Sequence, residues 1–97
     1  MPIGTYLVNS FLLYFYPVAK SKADIVGPRV VRLLKQRRED LGLSMNIVAK
    51  RARLSHSMIS RVEHELRKPT LDTLFRIAEA MEVDLWPLIK EAEQTED

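Results

Sequence analysis

Five polar residues at helical spacing mark one face of a short segment near the middle of the chain. The face combines two imidazoles, two hydroxyls and a guanidinium, from His56, Ser57, Ser60, Arg61 and His64. Apolar Ile59 and Val62 fall between them, which predicts a buried opposite side for the same helix. A short helix that exposes such donors and acceptors has the shape and chemistry to enter a DNA major groove. The chemistry that we expect is therefore hydrogen bonding to base edges.

A second short helix is predicted just before this one, across a tight turn. Ser44 is the expected N-cap of a helix over residues 45–52, and Ser55 caps the helix over residues 56–64. The spacing of the apolar residues predicts inward positions at Val48, Ala49, Ala52, Leu54, Ile59, Val62 and Leu66. The two helices should pack together and leave the polar face outside.

The stretch from Gly42 to Glu63 also follows a family pattern. It matches G-L-S-x-x-x-V-A-x-x-A-x-L-S-x-S-x-I-S-R-V-E, and P-T-L-x-x-L-x-x-I-A continues the match from Pro69. The pattern resembles the lambda-repressor-like, XRE-type helix-turn-helix family over roughly residues 30–89. This resemblance implies an all-α, five-helix DNA-binding domain whose recognition helix is the one after Ser55.

Three residues depart from the family pattern. Arg53 stands at the usual turn glycine, Met45 where a glutamine often grips the DNA backbone, and Glu65 where the following loop often has a glycine. A left-handed backbone at Arg53 would cost about 1 to 2 kcal/mol. We expect a slightly altered turn or a modest loss of stability, on an unchanged fold.

The resemblance implies a set of DNA contacts. Base contacts are expected from His56, Ser57, Ser60 and Arg61, and phosphate contacts from Ser44, Met45, Arg38, Met58, Arg67 and Lys68. A guanidinium can bond O6 and N7 of guanine together, which is worth about 1 to 3 kcal/mol of discrimination, so Arg61 is the expected specificity residue. The resemblance also implies a structural ion pair between Arg38 and Glu63.

The charge of the chain is divided unevenly. The 97 residues have a formal net charge of only +2, but residues 29–68 hold eleven lysines or arginines against four acids, a net charge of +7. Residues 69–97 hold two basic and eight acidic residues, a net charge of −6. A basic run alone is usually a solvated helix face. Because this run coincides with the helix-turn-helix pattern, it favours binding to DNA phosphates.

Catalytic and metal-binding patterns are missing from the sequence. The two histidines are eight residues apart without a third ligand at metal spacing, and the three glycines form no phosphate loop. There is no cysteine, which excludes disulfides and is consistent with a reducing compartment. The sequence therefore predicts a cytoplasmic protein that is not an enzyme and needs neither a metal nor a cofactor.

Residues 1–24 are predicted to form an apolar arm, as a strand or an extra helix. The run over residues 11–16 is about half as long as a membrane-spanning helix requires, so no membrane partner is expected. Its aromatic content slightly favours a strand, which needs a partner. We expect the arm to form a homodimer through Phe11, Leu12, Tyr14 and Phe15. The alternatives are packing on its own domain and contact with another protein or a membrane surface.

Three more helices complete the predicted domain of residues 25–91. The first begins at Gly27-Pro28, buries Val30, Val31, Leu34 and Leu41, and ends at Gly42. The fourth, over residues 71–81, buries Leu71, Leu74, Phe75, Ile77, Ala78 and Met81. The fifth follows Asp84 and offers Trp86, Leu88 and Ile89 as a second set of dimerisation candidates, with tryptophan core packing as the alternative. Residues 92–97 are expected to be an acidic tail.

These features together predict a sequence-specific transcriptional regulator. Its expected partner is double-stranded DNA, bound as a homodimer on a near-palindromic operator, and repression is the simplest outcome. The alternative is an antitoxin-like or accessory subunit that uses the apolar arm to bind a protein partner.

Overall fold

The described part of the chain is built from five α-helices. A computed structural model describes residues 21–95, and this part contains no strand. The helices are α1 (Lys22–Asp40), α2 (Met45–Ala52), α3 (His56–Glu63), α4 (Leu71–Ala80) and α5 (Leu85–Gln94). The predicted all-α, five-helix fold is confirmed. Residues 1–20, which form most of the predicted arm, lie outside the described residues.

Helix α1 begins earlier than the sequence predicts. Ser21 is its N-cap, and the Ser21 hydroxyl accepts a hydrogen bond from the Asp24 amide at 3.2 Å. The Ser21 amide in turn donates to the Asp24 carboxylate at 3.2 Å, which completes a capping box. The predicted start at Gly27-Pro28 is therefore wrong. Pro28 lies inside the helix, where it removes a backbone hydrogen bond at a cost of about 3 kcal/mol.

The N-terminal part of α1 is held by the end of α5. Arg29 donates hydrogen bonds to the carbonyls of Ala92 and Thr95, at 3.1 and 2.6 Å. Lys22 also forms an ion pair with Glu93 at 2.8 Å. Ala92 is fully buried, so α5 continues as far as Gln94 instead of ending at the predicted tail boundary. These contacts help to offset the unfavourable proline.

One hydrophobic core connects all five helices. Helix α2 packs on α3 and α4, while α1 packs along α5. The buried apolar residues are Val30, Val31, Leu34, Val48, Ala49, Ala52, Ile59, Val62, Ile77, Ala78, Ala80, Met81, Leu85, Leu88 and Ala92. The core therefore lies directly behind α3 and fixes which of its faces points outward.

Four apolar residues that were predicted to face inward are exposed, namely Leu41, Leu66, Leu71 and Phe75. Leu41 is the C-cap of α1, and Arg38 takes the inward position at that end. Leu66 follows the left-handed residue Glu65, which lies beyond the end of α3, and it is 78% exposed. In α4 the inner face instead includes Thr73, whose hydroxyl lies 3.0 Å from that of Thr70.

Candidate nucleic-acid interface

Helix α3 presents most of its predicted polar face to solvent. Ser55 caps the helix by accepting a hydrogen bond from the Met58 amide at 3.0 Å. Ile59 and Val62 are almost completely buried and fix the rotation of the helix. The outer face carries exposed His56, Ser57, Arg61 and His64, together with half-buried Ser60. The structure thus brings the four predicted base-contact residues to one side of α3.

The two large polar side chains at the end of α3 differ in their freedom. Nδ1 of His64 donates to the Ser60 carbonyl at 2.7 Å, so this imidazole is bound to its own helix. No atom of the described residues accepts a hydrogen bond from the Arg61 guanidinium, which is exposed. The donors of Arg61 are therefore available to an external acceptor.

Arg38 anchors α3 to α1. Its Nε and Nη2 atoms donate to the two carboxylate oxygens of Glu63, both at 2.7 Å, and Nη1 donates to the Leu43 carbonyl at 2.9 Å. The side chains of Arg38 and Glu63 are only 14% and 9% exposed. The hydrogen bonds to Glu63 raise the pKa of Arg38 above its ordinary value. Arg38 therefore positions α3, and little of it is accessible to a phosphate.

The N-terminus of α2 offers backbone donors. Ser44 accepts a hydrogen bond from the Ile47 amide at 3.1 Å. The amides of Met45 and Asn46 have no acceptor within the described residues, as is usual in the first turn of a helix. The side chains of Met45 and Met58 pack against the core. Met45 can therefore meet a phosphate through its backbone, whereas the structure gives the Met58 side chain a packing role.

The turn between α2 and α3 keeps a left-handed residue without a glycine. Arg53 has a φ of 58°, and the amides of Arg53 and Leu54 donate to the carbonyls of Lys50 and Ala49. These two bonds form a Schellman motif, so the turn has its ordinary shape. Glu65 and Glu82 are also left-handed, with φ of 59° and 56°. The sequence comparison with the family pattern pointed to the strain at Arg53 but gave no signal for Glu82.

The loop after α3 carries two exposed cations, Arg67 and Lys68. The ammonium of Lys68 lies 3.7 Å from the Asp24 carboxylate at the start of α1. Hydrogen bonds from Ser21, with a smaller contribution from Lys68, lower the pKa of Asp24. A second ion pair joins Arg32 of α1 to Glu65 at 3.0 Å. The loop is therefore fastened to α1 on the flank of α3.

The predicted dimerisation residues of α5 fall into different environments. Leu88 is 2% exposed and belongs to the core, so its predicted role in a subunit interface is wrong. Ile89 is half-buried against the same core, whereas Trp86 is 66% exposed. Trp86 is therefore not an ordinary core residue of this domain. The candidates Phe11, Leu12, Tyr14 and Phe15 lie outside the described residues.

The comparison with protein families agrees with the geometry of α2 and α3. A helix-turn-helix family model matches residues 34–85, which is more than half of the chain. The chain belongs to the helix-turn-helix family of the lambda-repressor, XRE type, a generally non-enzymatic class of DNA-binding transcription regulators. Neither a curated protein nor a solved structure matches it. Within residues 21–95, none of the helices is long and apolar enough to cross a membrane.

Proposed function

We propose that this protein is a sequence-specific transcriptional regulator that reads DNA by placing α3 in the major groove. The observation that carries the proposal is the charge arrangement of α3. Its one acidic residue, Glu63, is turned inward to Arg38, while Arg61 stands exposed without a partner in the described residues. The outer face of α3 therefore offers donors and a positive charge, with no carboxylate to repel a phosphate.

The positions of these residues suit some of them to contacts with bases and others to contacts with phosphates. Arg61 bonds to O6 and N7 of a guanine, and His56 and Ser57 make shorter contacts at the start of α3. Ser60, being half-buried, allows the helix to approach the bases. The free amides at the start of α2, together with Arg67 and Lys68, meet flanking phosphates, which fix the register of the domain on the duplex.

The regulator acts as a homodimer. Exposed Trp86 on α5 supports a two-fold interface, because tryptophan is enriched among the residues that dominate binding at protein interfaces. A two-fold axis would place the two copies of α3 about 34 Å apart, one turn of DNA, on a near-palindromic operator. A dimer bound at a promoter represses by excluding other proteins from that site.

Selection from a pool of randomised DNA duplexes, followed by sequencing, tests this function. The pure protein should enrich a palindrome with a guanine at a fixed position in each half, at two salt concentrations. Arg61→Ala should lose that guanine, whereas Arg76→Ala on α4 is the matched control and should retain it. Binding that depends on salt but enriches no sequence would contradict the proposal and favour the accessory, protein-binding role.

A further inference from the structure

A groove with an apolar floor runs between the start of α1 and the loop that joins α3 to α4. Its volume is about 290 Å³, close to the lower end of the range for small-molecule sites, which is about 300 to 1,000 Å³. The apolar residues that line it are Ala23, Pro28, Val31, Val62, Pro69 and Leu74. A ligand of one or two rings therefore fits, and removal of its apolar surface from water favours binding.

The charged residues at the rim of this groove are paired, with one exception. Glu65 binds Arg32 at 3.0 Å, and the Lys68 ammonium lies 3.7 Å from the Asp24 carboxylate. Arg67 also lines the groove and is exposed, and no atom of the described residues pairs with it. Among the described residues, the uncompensated charge at the rim is therefore the guanidinium of Arg67.

This combination selects the chemistry of a ligand. Small-molecule sites are mostly apolar and contain a few polar groups that fix the orientation of the ligand. The guanidinium of Arg67 can donate two parallel hydrogen bonds to a carboxylate. A ligand with several negative charges is less suitable, because it meets one free cation and also the carboxylates of Asp24 and Glu65. The groove therefore fits an apolar body with a single carboxylate.

Gly27 keeps one wall of the groove open. It lies inside α1, where a glycine costs about 0.5 to 1 kcal/mol relative to alanine. A Cβ atom added to Gly27 would meet nothing within 4 Å among the described residues. Packing of the described residues therefore does not require a glycine here. A larger side chain at this position would occupy part of the open space, which provides a way to fill the groove.

We propose that this groove binds a small organic carboxylate, whose apolar body lies on the floor and whose carboxylate accepts hydrogen bonds from Arg67. Binding of this ligand needs no DNA. The bound carboxylate also competes with a DNA phosphate for Arg67, a consequence that rests on the proposed function. The ligand therefore weakens the binding of DNA.

Titration of the full chain with cinnamate, followed by NMR, tests the site. Cinnamate joins one aromatic ring to one carboxylate. At millimolar concentrations it should shift the amide signals of Gly27, Val31 and Leu74 until they saturate, and leave those around Trp86 unchanged. Shifts that do not saturate, or that are equally large around Trp86, would overturn the proposal. Groove signals that change with protein concentration before cinnamate is added would show a second copy in the groove and would also overturn it.

A neutral probe isolates the contribution of Arg67. Cinnamamide has the same apolar body as cinnamate but no charge. The wild type should bind cinnamate about fivefold more tightly, at the upper end of what an exposed ion pair contributes. Arg67→Ala should bind the two probes alike, whereas Arg76→Ala on α4 is the matched control and should keep the preference. Equal affinities in the wild type, or a preference that survives in Arg67→Ala, would overturn the proposal.

A filled groove tests the position of the apolar body. Gly27→Leu should occupy the open space beside Gly27 and abolish the shifts at Val31 and Leu74. Gly27→Ala adds one methyl group at the same position and should retain them. Both variants replace a helical glycine by a better helix former, so neither should unfold α1. An unchanged affinity for cinnamate in Gly27→Leu would contradict the proposal.

The competition with DNA is measured separately, by fluorescence anisotropy of a labelled duplex. Cinnamate should weaken the binding of the wild type and leave that of Arg67→Ala unchanged, and acetate at the same concentration controls for salt. Cinnamate that saturates the groove signals but leaves the affinity for DNA unchanged would overturn the competition. A wild type that binds no duplex without cinnamate would contradict the proposed function instead, because the NMR titration detects the ligand independently.

Discussion

Helices α3 and α4 are built in the same way but present different surfaces. A hydroxyl residue, Ser55 or Thr70, caps each of them, and each buries one face in the common core. On α4, Arg76 is bound by Asp72 of the same helix at 2.8 Å. On α3, Arg61 has no such partner among the described residues. The two helices therefore differ in the pairing of the arginine more than in the helix itself, and this difference is what the proposed reading of DNA by α3 depends on.

The carboxylates of the two helices also differ, in their exposure and in how firmly they are bound. Glu63 of α3 is largely buried and binds Arg38 with two hydrogen bonds, whereas the Asp72 side chain is 72% exposed. A buried pair leaves an uncompensated charge when one partner is removed, while an exposed pair is solvated by water. The acid of α3 therefore holds the helix in place, and the acid of α4 only neutralises its neighbour.

The largest predicted effect comes from removing the buried anchor of α3. Glu63→Ala should lower the free energy of unfolding by about 3 kcal/mol, because Arg38 is left largely buried without its carboxylate. Urea denaturation followed by circular dichroism measures this change. Asp72→Ala is the matched control on α4 and should have a much smaller effect. Equal losses in the two variants would remove the distinction between the two carboxylates.

A smaller effect is predicted for the cations beside α3. Arg67→Ala and Lys68→Ala should each weaken binding to all duplexes alike and reduce the slope of log affinity against log salt by about one. Arg76→Ala, on the paired surface of α4, should leave the slope unchanged. Titrations by fluorescence anisotropy at several salt concentrations measure it. A reduced slope for Arg76→Ala, with unchanged slopes for Arg67→Ala and Lys68→Ala, would contradict this prediction, because it would place the phosphate contacts on α4.

The left-handed residues allow a test in which α3 and α4 should behave alike. Arg53→Gly, before α3, and Glu82→Gly, after α4, should each raise the free energy of unfolding by about 0.5 to 1 kcal/mol, because glycine relieves the strain but loses more chain entropy. Thermal or urea unfolding measures both. A loss of stability in either variant would mean that its side chain contributes more than its backbone strain costs.

The smallest predicted effect concerns the pH dependence of the capping box at the start of α1, which is linked to the loop beside α3 through Lys68. Because folding lowers the pKa of Asp24 below 3.8, its contribution to stability is present above that pH and is lost as the pH falls through the folded value. Asp24→Asn should therefore melt below the wild type at pH 6 (~2 units above that pKa). The difference should shrink in acid. A difference in melting temperature that grew as the pH fell would contradict the predicted direction of the pH dependence.

The sequence predicted the starts of α2 and α3 better than the start of α1. Ser44 and Ser55 mark the starts of α2 and α3 because a capping hydroxyl is a local signal. The start of α1 was missed because Gly27-Pro28 resembles a helix start, whereas the capping box at Ser21 and the contacts with α5 extend the helix. Those contacts join residues far apart in the chain, so no local pattern reports them.

Burial was predictable only where the spacing of apolar residues allowed a single face. In α3, Ile59 and Val62 lie on one face, so the sequence predicts that this face is the buried one. In α4, apolar residues lie on more than one side, and the packing of α2 decides that Ile77 and Thr73 face inward while Phe75 does not. The exposure of Arg61 was predictable from its spacing, but its lack of a partner among the described residues depends on where the packing places the acids of the other helices.

A double-mutant cycle between Arg61 and the fixed guanine tests whether α3 reads DNA through this side chain. Wild type and Arg61→Ala are each titrated with the selected duplex and with one in which the fixed guanine is replaced. We expect the base change to weaken binding of the wild type by about 1 to 3 kcal/mol and binding of the variant by almost nothing. Arg76→Ala, on α4, should lose as much binding free energy on the base change as the wild type does. An undiminished cost in Arg61→Ala would show that α3 does not read DNA through Arg61.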